Sequence, residues 1–318
     1  QLCPSAMTDS WRELPVLILI GPTAIGKTDL SLEIARRFPC EIVSVDSMQV
    51  YRYLDIGTAK ASSAERDEVA HHLIDIVDPD EAYDAARFAA DARKVLGAIA
   101  ARGKVALLTG GSGLYLRALL EPFFPGVAVD DALRDRLRNR LAEEGSLKLH
   151  KELSLCDRIS AERIHHNDSH RLIRALEIYY ASGIPWSEHL QRQGSSSGQR
   201  FLKKTLMLGL TCERQVLYQR IDHRCRLMLD SGLEAEVRSL LEMGYGPDLK
   251  PMQAIGYRHM LEYLAGRWGW DDMARLLARD TRRYAKRQYT WFSALTDIQW
   301  YQKDDSDKVL KLIAAWLR

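Results

Sequence analysis

Val16 to Ile20 is an unbroken apolar run, the pattern of a short strand buried on both faces. It leads into GPTAIGKT and then into helical spacing from Lys27 to about Arg37, with Leu30, Ile34 and Phe38 on the inward side. Glu41 to Val45 reads as a second strand ending in Asp46-Ser47, and HHLIDIV at 71–77 as a third. Ala82 to Ala101 has helical spacing, and VALLTGGSG at 105–113 repeats the strand-then-glycine pattern before the helix LYLRALL. Strands alternating with helices predict βαβ units and a parallel sheet, with ligands beyond the carboxyl ends of its strands. Three polar segments fall there: 21–28, Asp46-Ser47, and Thr109 to Ser112.

The pattern then changes. From about Pro125 to Glu188 the spacing is helical and rich in charge, as in DDALRDRLRNRLAEEG and HRLIRALEIYYASG, whose Gly183 and Pro185 stop the last helix. RQGSSSGQR at 192–200 reads as a flexible loop, TLMLGL at 205–210 as a returning strand, and the rest as helix to the end. The predicted fold class is α/β: a P-loop NTPase-like three-layer parallel sheet core over 7–122 and 201–318, with an inserted, mostly helical domain over 123–200.

Composition narrows this picture. The chain has 318 residues, 46% hydrophobic and 28% charged, as expected of a soluble globular protein with one large or two modest domains. A net charge of +2 means that a nucleic-acid partner must be held by local clusters. No apolar run is long enough to span a membrane, and QLCPSA, before Met7, looks like an expression remnant rather than a signal peptide. Five scattered cysteines (Cys3, Cys40, Cys156, Cys212, Cys225) without a C-x-x-C pair fit a reducing cytosol.

GPTAIGKT matches G-x-x-x-x-G-K-[ST] after a buried strand and at the head of a helix, the context that makes the motif a phosphate cradle. Its backbone N–H groups and the helix start attract anions, Lys27 adds a full charge, and the Thr28 hydroxyl is the expected Mg²⁺ ligand. Gly21 and Gly26 are needed where a Cβ would block the backbone path. What the loop does with phosphate is less defined. No N-K-x-D occurs for a GTPase, and EIVSVD places Ser after the acid where a motor ATPase has Glu. A small-molecule kinase stays open on the motif alone.

With GPTAIGKT, the stretch SVDSMQVYRYLDIGTAK (44–60) resembles the tRNA dimethylallyltransferases. So do HHLIDI (71–76), TGGSGLYLRALL (109–120), HRLIRALE (170–177), SGLEAEV (231–237), AIGYR (254–258) and RRYAKRQYTWF (282–292). The likeness is to the bacterial form, since the C-terminal zinc finger of eukaryotic members is missing. It implies transfer of a dimethylallyl group from its diphosphate to N6 of adenine 37 of tRNA, 3′ of the anticodon. The loop, Gly21, Pro22, Thr23, Ala24, Ile25, Gly26, Lys27 and Thr28, would then hold the diphosphate leaving group together with Arg220. Mg²⁺, held at Thr28, is the implied cofactor. Asp46, Thr28 and Arg220 form the implied catalytic set, Asp46 taking the N6 proton. The alternative for Asp46 is a carboxylate that holds Mg²⁺ through water. Arg224 shares a helix face with Arg220. The plainer reading of both is surface arginines paired with Asp222 or Glu213.

The same resemblance assigns tRNA contacts to Asp46, Ser47, Met48, Gln49, Ser112, Arg134, and the run His170, Arg171, Leu172, Ile173, Arg174. It adds Gln253, Ala254, Ile255, Gly256, Tyr257 and Arg258. Charge alone does not make the insertion an RNA module, since residues 130–180 hold ten basic and ten acidic side chains. From the residues themselves, Arg279, Arg283 and Lys286/Arg287 form a basic helical stripe suited to RNA phosphates. Its neighbours Tyr284, Tyr289, Trp291 and Phe292 read as core. The paired histidines, His71-His72 and His165-His166, read as structural rather than metal ligands. The expected partners are the tRNA anticodon stem-loop and dimethylallyl diphosphate, with no membrane, for a monomeric cytoplasmic protein. Rival readings are an adenylate dimethylallyltransferase acting on free AMP, an ATP-using P-loop kinase, and a non-catalytic RNA-binding module. The long helical insertion and the basic C-terminal helix argue against the AMP acceptor.

Overall fold

A computed structural model describes residues 10–121, 130–194 and 201–318. The six residues before Met7 and positions 195–200 of the Gly/Ser stretch lie outside them. Contacts divide the chain into two compact units, one of residues 1–120 and 201–318, the other of residues 121–200.

The first unit is built on six parallel strands in the order β3-β2-β4-β1-β5-β6. They are β1 (Pro15–Ile20), β2 (Cys40–Val45), β3 (His71–His72), β4 (Val105–Gly110), β5 (Lys204–Thr211) and β6 (Ile298–Gln302). The apolar runs become the inner strands because both of their faces are covered. Leu17, Leu19, Ile42, Leu107, Leu206 and Leu208 share one core cluster with Leu30 and Ile34 of the helix Lys27–Arg37. Leu217 and Ile221 of the helix Arg214–Asp230 and Leu277 of the helix Trp270–Phe292 join the same cluster. Strand alternation sends Val16, Ile18, Val43 and Leu108, all fully buried, to the opposite face. The helix Ala85–Ala101 packs on β4 and on the helix Gly113–Leu120. It is capped by Asp84, whose carboxylate accepts from the N–H groups of Ala86 and Arg87.

The second unit is helical over its described residues, from Asp131 to Gly194, so residues 192–194 continue a helix where a loop was expected. Leu137, Leu149, Leu153, Leu172 and Leu176 form its core.

Two strands differ from expectation. The third stops after His72, because Leu73 (φ 60°) and Asp75 (φ 55°) turn the chain into the left-handed region. The turn brings the Asp75 carboxylate to Lys60, whose side chain is only 1% exposed, at 2.5 Å, and to Arg66 at 2.6 Å. His72 bonds the buried Glu41 at 2.6 Å, and Arg102 and Lys104 hold the same carboxylate, with a pKa pulled down to about 2. The C-terminal part is not helical throughout: IQWYQ forms β6, an edge strand whose side chains are mostly exposed and so carry little apolar signal. Among the described residues no helix is long and apolar enough to cross a membrane.

Gly209 of β5 sits where a Cβ would lie 2.6 Å from the Trp300 ring and 2.7 Å from Ile298. Gly209→Ala is therefore expected to destabilise the protein by about 1–3 kcal/mol through overpacking against β6. Thermal unfolding measures it, and an unchanged melting temperature would contradict this account of the β5–β6 pair.

Candidate active site

The loop after β1 closes tightly on the sheet. A Cβ at Gly21 (φ 152°) would meet the Leu210 carbonyl at 2.9 Å, and Gly26 opens the next helix at φ 105°. Ala24 also takes positive φ, 65°, and its carbonyl accepts from Arg220 Nε at 2.7 Å. Lys27 Nζ donates to the carbonyls of Gly21 (2.9 Å) and Pro22 (2.8 Å), so the ammonium is folded back on its own loop. Burial and the neighbouring Arg224 bring its pKa down to about 7, with Asp46 acting in the opposite direction.

The expected loop residues do not contribute alike. Pro22 has no N–H, the Ile25 side chain is in the core, and the Thr23 N–H is already given to Gln288 Oε1 at 2.8 Å. The Thr28 hydroxyl lines the cavity and makes no hydrogen bond to the described residues.

Asp46 leaves the end of β2 beside this loop. Its Oδ1 accepts from the N–H groups of Met48 (2.8 Å) and Gln49 (3.3 Å), which fixes the carboxylate and leaves Oδ2 without a described partner. Ser47 N donates to Ser112 Oγ at 3.0 Å, and Ser112 N to the Val45 carbonyl at 3.1 Å. Gln49 is engaged on both sides, accepting from the Ser44 hydroxyl at 2.8 Å and donating to the Thr58 carbonyl at 3.2 Å.

One cavity of about 680 Å³ joins these parts. Among its lining residues Lys27, Arg220, Arg224, Lys250 and Arg287 face two acids, Asp29 and Asp46, so the wall carries a clear positive excess. Arg220 and Arg224 do not pair with Asp222 or Glu213; Asp222 is taken by Arg282. Arg224 has no hydrogen bond or ion pair among the described residues. Such a wall suits a multiply charged anion. Among the described residues no group of three or more His, Cys, Asp or Glu could hold a metal. The Thr28 hydroxyl is a hard oxygen of the kind Mg²⁺ takes when phosphate completes its shell.

Of the expected RNA residues, Met48, Gln253, Ala254, Ile255 and Tyr257 line the cavity, with Asp46, Ser47 and Gln49. Gly256 (φ 99°) starts the helix Tyr257–Leu264, and Arg258 pairs with Asp280 at 2.8 Å instead. In the helical unit, the Leu172 side chain is fully buried in the core. Arg134 and Arg174 both donate to the buried Glu177, each at 3.0 Å. Ile173 packs against the core, while His170 and Arg171 are exposed. On the helix Trp270–Phe292, Arg283, Lys286 and Arg287 are exposed. Phe292 is buried, and Tyr289 bonds Thr211 at 2.9 Å.

Two site residues escaped sequence reasoning. Buried Gln288 accepts from Thr23 N and donates to the Gly111 carbonyl at 3.1 Å, tying the phosphate loop to the β4 loop. Glu236 accepts from the N–H groups of Asp55, Ile56 and Gly57 and from the Tyr257 hydroxyl at 2.6 Å, fixing the 55–59 wall. Both act across long sequence separations and carry no local signal; only their place inside the quoted segments marked them.

Comparison with known proteins agrees in both sequence and structure. The family described as IPP transferase matches residues 49–295. A tRNA dimethylallyltransferase of Desulfotalea psychrophila is 52% identical over 95% of this chain and 96% of its own length. One of Desulfosudis oleivorans is 46% identical, again over 95% and 96%. Among solved structures, the tRNA isopentenylpyrophosphate transferase of Bacillus halodurans superposes with a TM-score of 0.69 at 38% identity, covering 96% of this chain and 97% of that one. A eukaryotic dimethylallyltransferase acting on tRNA gives a TM-score of 0.73 at 29% identity, over 92% of this chain and 74% of its own.

Lys27 supplies a pH prediction. With a pKa near 7, it is charged below that pH in the free protein and increasingly neutral above it. An anion in the cavity restores the charge, so binding a diphosphate monoester at about pH 8, where the ligand is itself fully ionised, takes up protons. Calorimetry in two buffers of different ionisation enthalpy reads the uptake directly; none would contradict the assignment.

Proposed function

This chain belongs to the IPP transferase family, and on that premise we propose that it transfers the dimethylallyl group of dimethylallyl diphosphate to N6 of adenine 37 in tRNA. The observation that carries the reading at this site is that one cavity holds both the phosphate loop and Asp46. The C–O bond of the donor breaks with its electron pair going to diphosphate, while the N6–C bond forms. Lys27, Arg220 and the loop N–H groups stabilise the charge growing on the leaving group, each such donor being worth about 10²–10³ in rate. Oδ2 of Asp46 takes the N6 proton as the amine becomes a nucleophile, Oδ1 being held by its two N–H bonds. Mg²⁺ bound at Thr28 would supply further charge neutralisation to the diphosphate.

The adenine has to leave its stack to reach the cavity, which is cheapest in a single-stranded loop. We assign the anticodon stem-loop as the RNA element. Arg283, Lys286 and Arg287 would hold its phosphates from the first unit, and His170 and Arg171 from the second. The setting is the cytoplasm, with the protein acting as a monomer.

Labelled dimethylallyl diphosphate offered with tRNA or with AMP tests the acceptor: label should enter tRNA as N6-modified adenosine, and entry into AMP alone would refute the reading. Asp46→Asn should lower transfer by about 10²–10⁴ while donor binding survives. Equal loss of both would instead make Asp46 a metal-side carboxylate. Removing Arg283 and Arg287 together should weaken tRNA binding and flatten its salt dependence; an unaltered salt slope would exclude the stripe.

A further inference from the structure

The last strand of the sheet brings a cation to the phosphate loop that none of the family segments contains. The family match ends at residue 295, before β6 begins at Ile298. The β5–β6 register runs from Met207↔Ile298 to Thr211↔Gln302, so Lys303 follows immediately after the last ladder pair. In a parallel sheet that is the ligand side, where the loop after β1 also emerges. Its side chain packs against the loop at Gly26: a Cβ built on Gly26 would lie 3.4 Å from Lys303 Cε and 3.7 Å from its Cδ. The same point is 3.6 Å from a guanidinium nitrogen of Arg220. Two cations therefore flank Gly26, one from a core helix and one from the sheet edge.

Lys303 is exposed and makes no hydrogen bond or ion pair among the described residues, although acids surround it. Asp304 is its neighbour, and Asp305 bonds Gln302 N at 3.1 Å and Lys308 at 2.6 Å. Arg220, by contrast, is anchored by Nε on the Ala24 carbonyl, which directs its remaining nitrogens along the loop. The charges of Arg220 and Lys303 both reach Cys212, just past the end of β5.

We propose that Lys303 is a diphosphate ligand, closing the outer side of the phosphate loop opposite the buried Lys27. The inference rests on the reading that this loop holds the diphosphate of the donor. A lysine suits the place: its flexible stem reaches over Gly26 while its ammonium stays hydrated until an anion arrives. Being exposed, it adds a modest, salt-sensitive increment.

The test is binding of inorganic diphosphate with Mg²⁺ by calorimetry, together with transfer kinetics. Lys303→Ala should weaken diphosphate binding about three- to fivefold at low ionic strength, a gap that closes as salt is added. Lys303→Arg should stay within about twofold of the wild type, and Lys308→Ala, an equal charge change on a lysine already paired, should bind as the wild type does. In transfer, Lys303→Ala should raise KM for the donor and leave KM for tRNA unchanged. Wild-type affinity in Lys303→Ala, or an equal loss in Lys308→Ala, would overturn the inference and leave the reading of the loop intact. A wild-type protein that takes up no diphosphate, or binds it as well with Lys27→Ala, would overturn that reading and this inference with it.

Discussion

Positive charge held together without enough acid to neutralise it is the constraint around which this structure is organised. Lys27, Arg220 and Arg224 converge at the carboxyl end of β1, where the Asp46 charge acts on Lys27 and Arg224. Like charges gathered in a partly dry cavity repel, so the free protein needs other ways to hold them. Lys27 turns onto two carbonyls of its own loop, Arg220 onto a third, and burial brings the lysine to the edge of neutrality. An incoming anion with several negative charges relieves all of these compromises at once. On the proposed reading, the same cluster would both recruit a diphosphate ester and stabilise it as it leaves.

Positioning the cluster is the work of parts far apart in sequence. Gln288 links the loop after β1 to the loop after β4, and Ser112 links that second loop to the segment bearing Asp46. Anion cradle and carboxylate are thus held in one hydrogen-bonded frame. Glu236 and Tyr257 perform the same task for the wall at 55–59, where Gly57 leaves room for the tyrosine ring.

What the sequence revealed and what it hid follow from the same physics. β1, β4 and β5 are legible because strands covered on both faces are built from runs of apolar residues, and GPTAIGKT because its chemistry is confined to eight consecutive residues; β2 keeps a shorter apolar signal around the buried Glu41 and Ser44. β6 was missed because an exposed edge strand has no such requirement, and with it went Lys303. The third strand was overextended because apolar residues in HHLIDIV masked a turn made by left-handed Leu73 and Asp75. Gln288 was invisible as a site residue since its partner Thr23 lies 265 positions away. Leu172 shows the converse: within a segment expected to contact RNA, its side chain is fully buried in the core.

A crystal structure of the protein with a non-reactive prenyl thiolodiphosphate, Mg²⁺ and an anticodon stem-loop would test the central claim most directly. The account predicts diphosphate in the cradle of residues 23–28, Lys27 turned from its own carbonyls onto phosphate oxygen, and the adenine N6 within hydrogen-bonding distance of Asp46. A cradle left empty, or one filled by a nucleoside triphosphate while the prenyl group binds elsewhere, would contradict it.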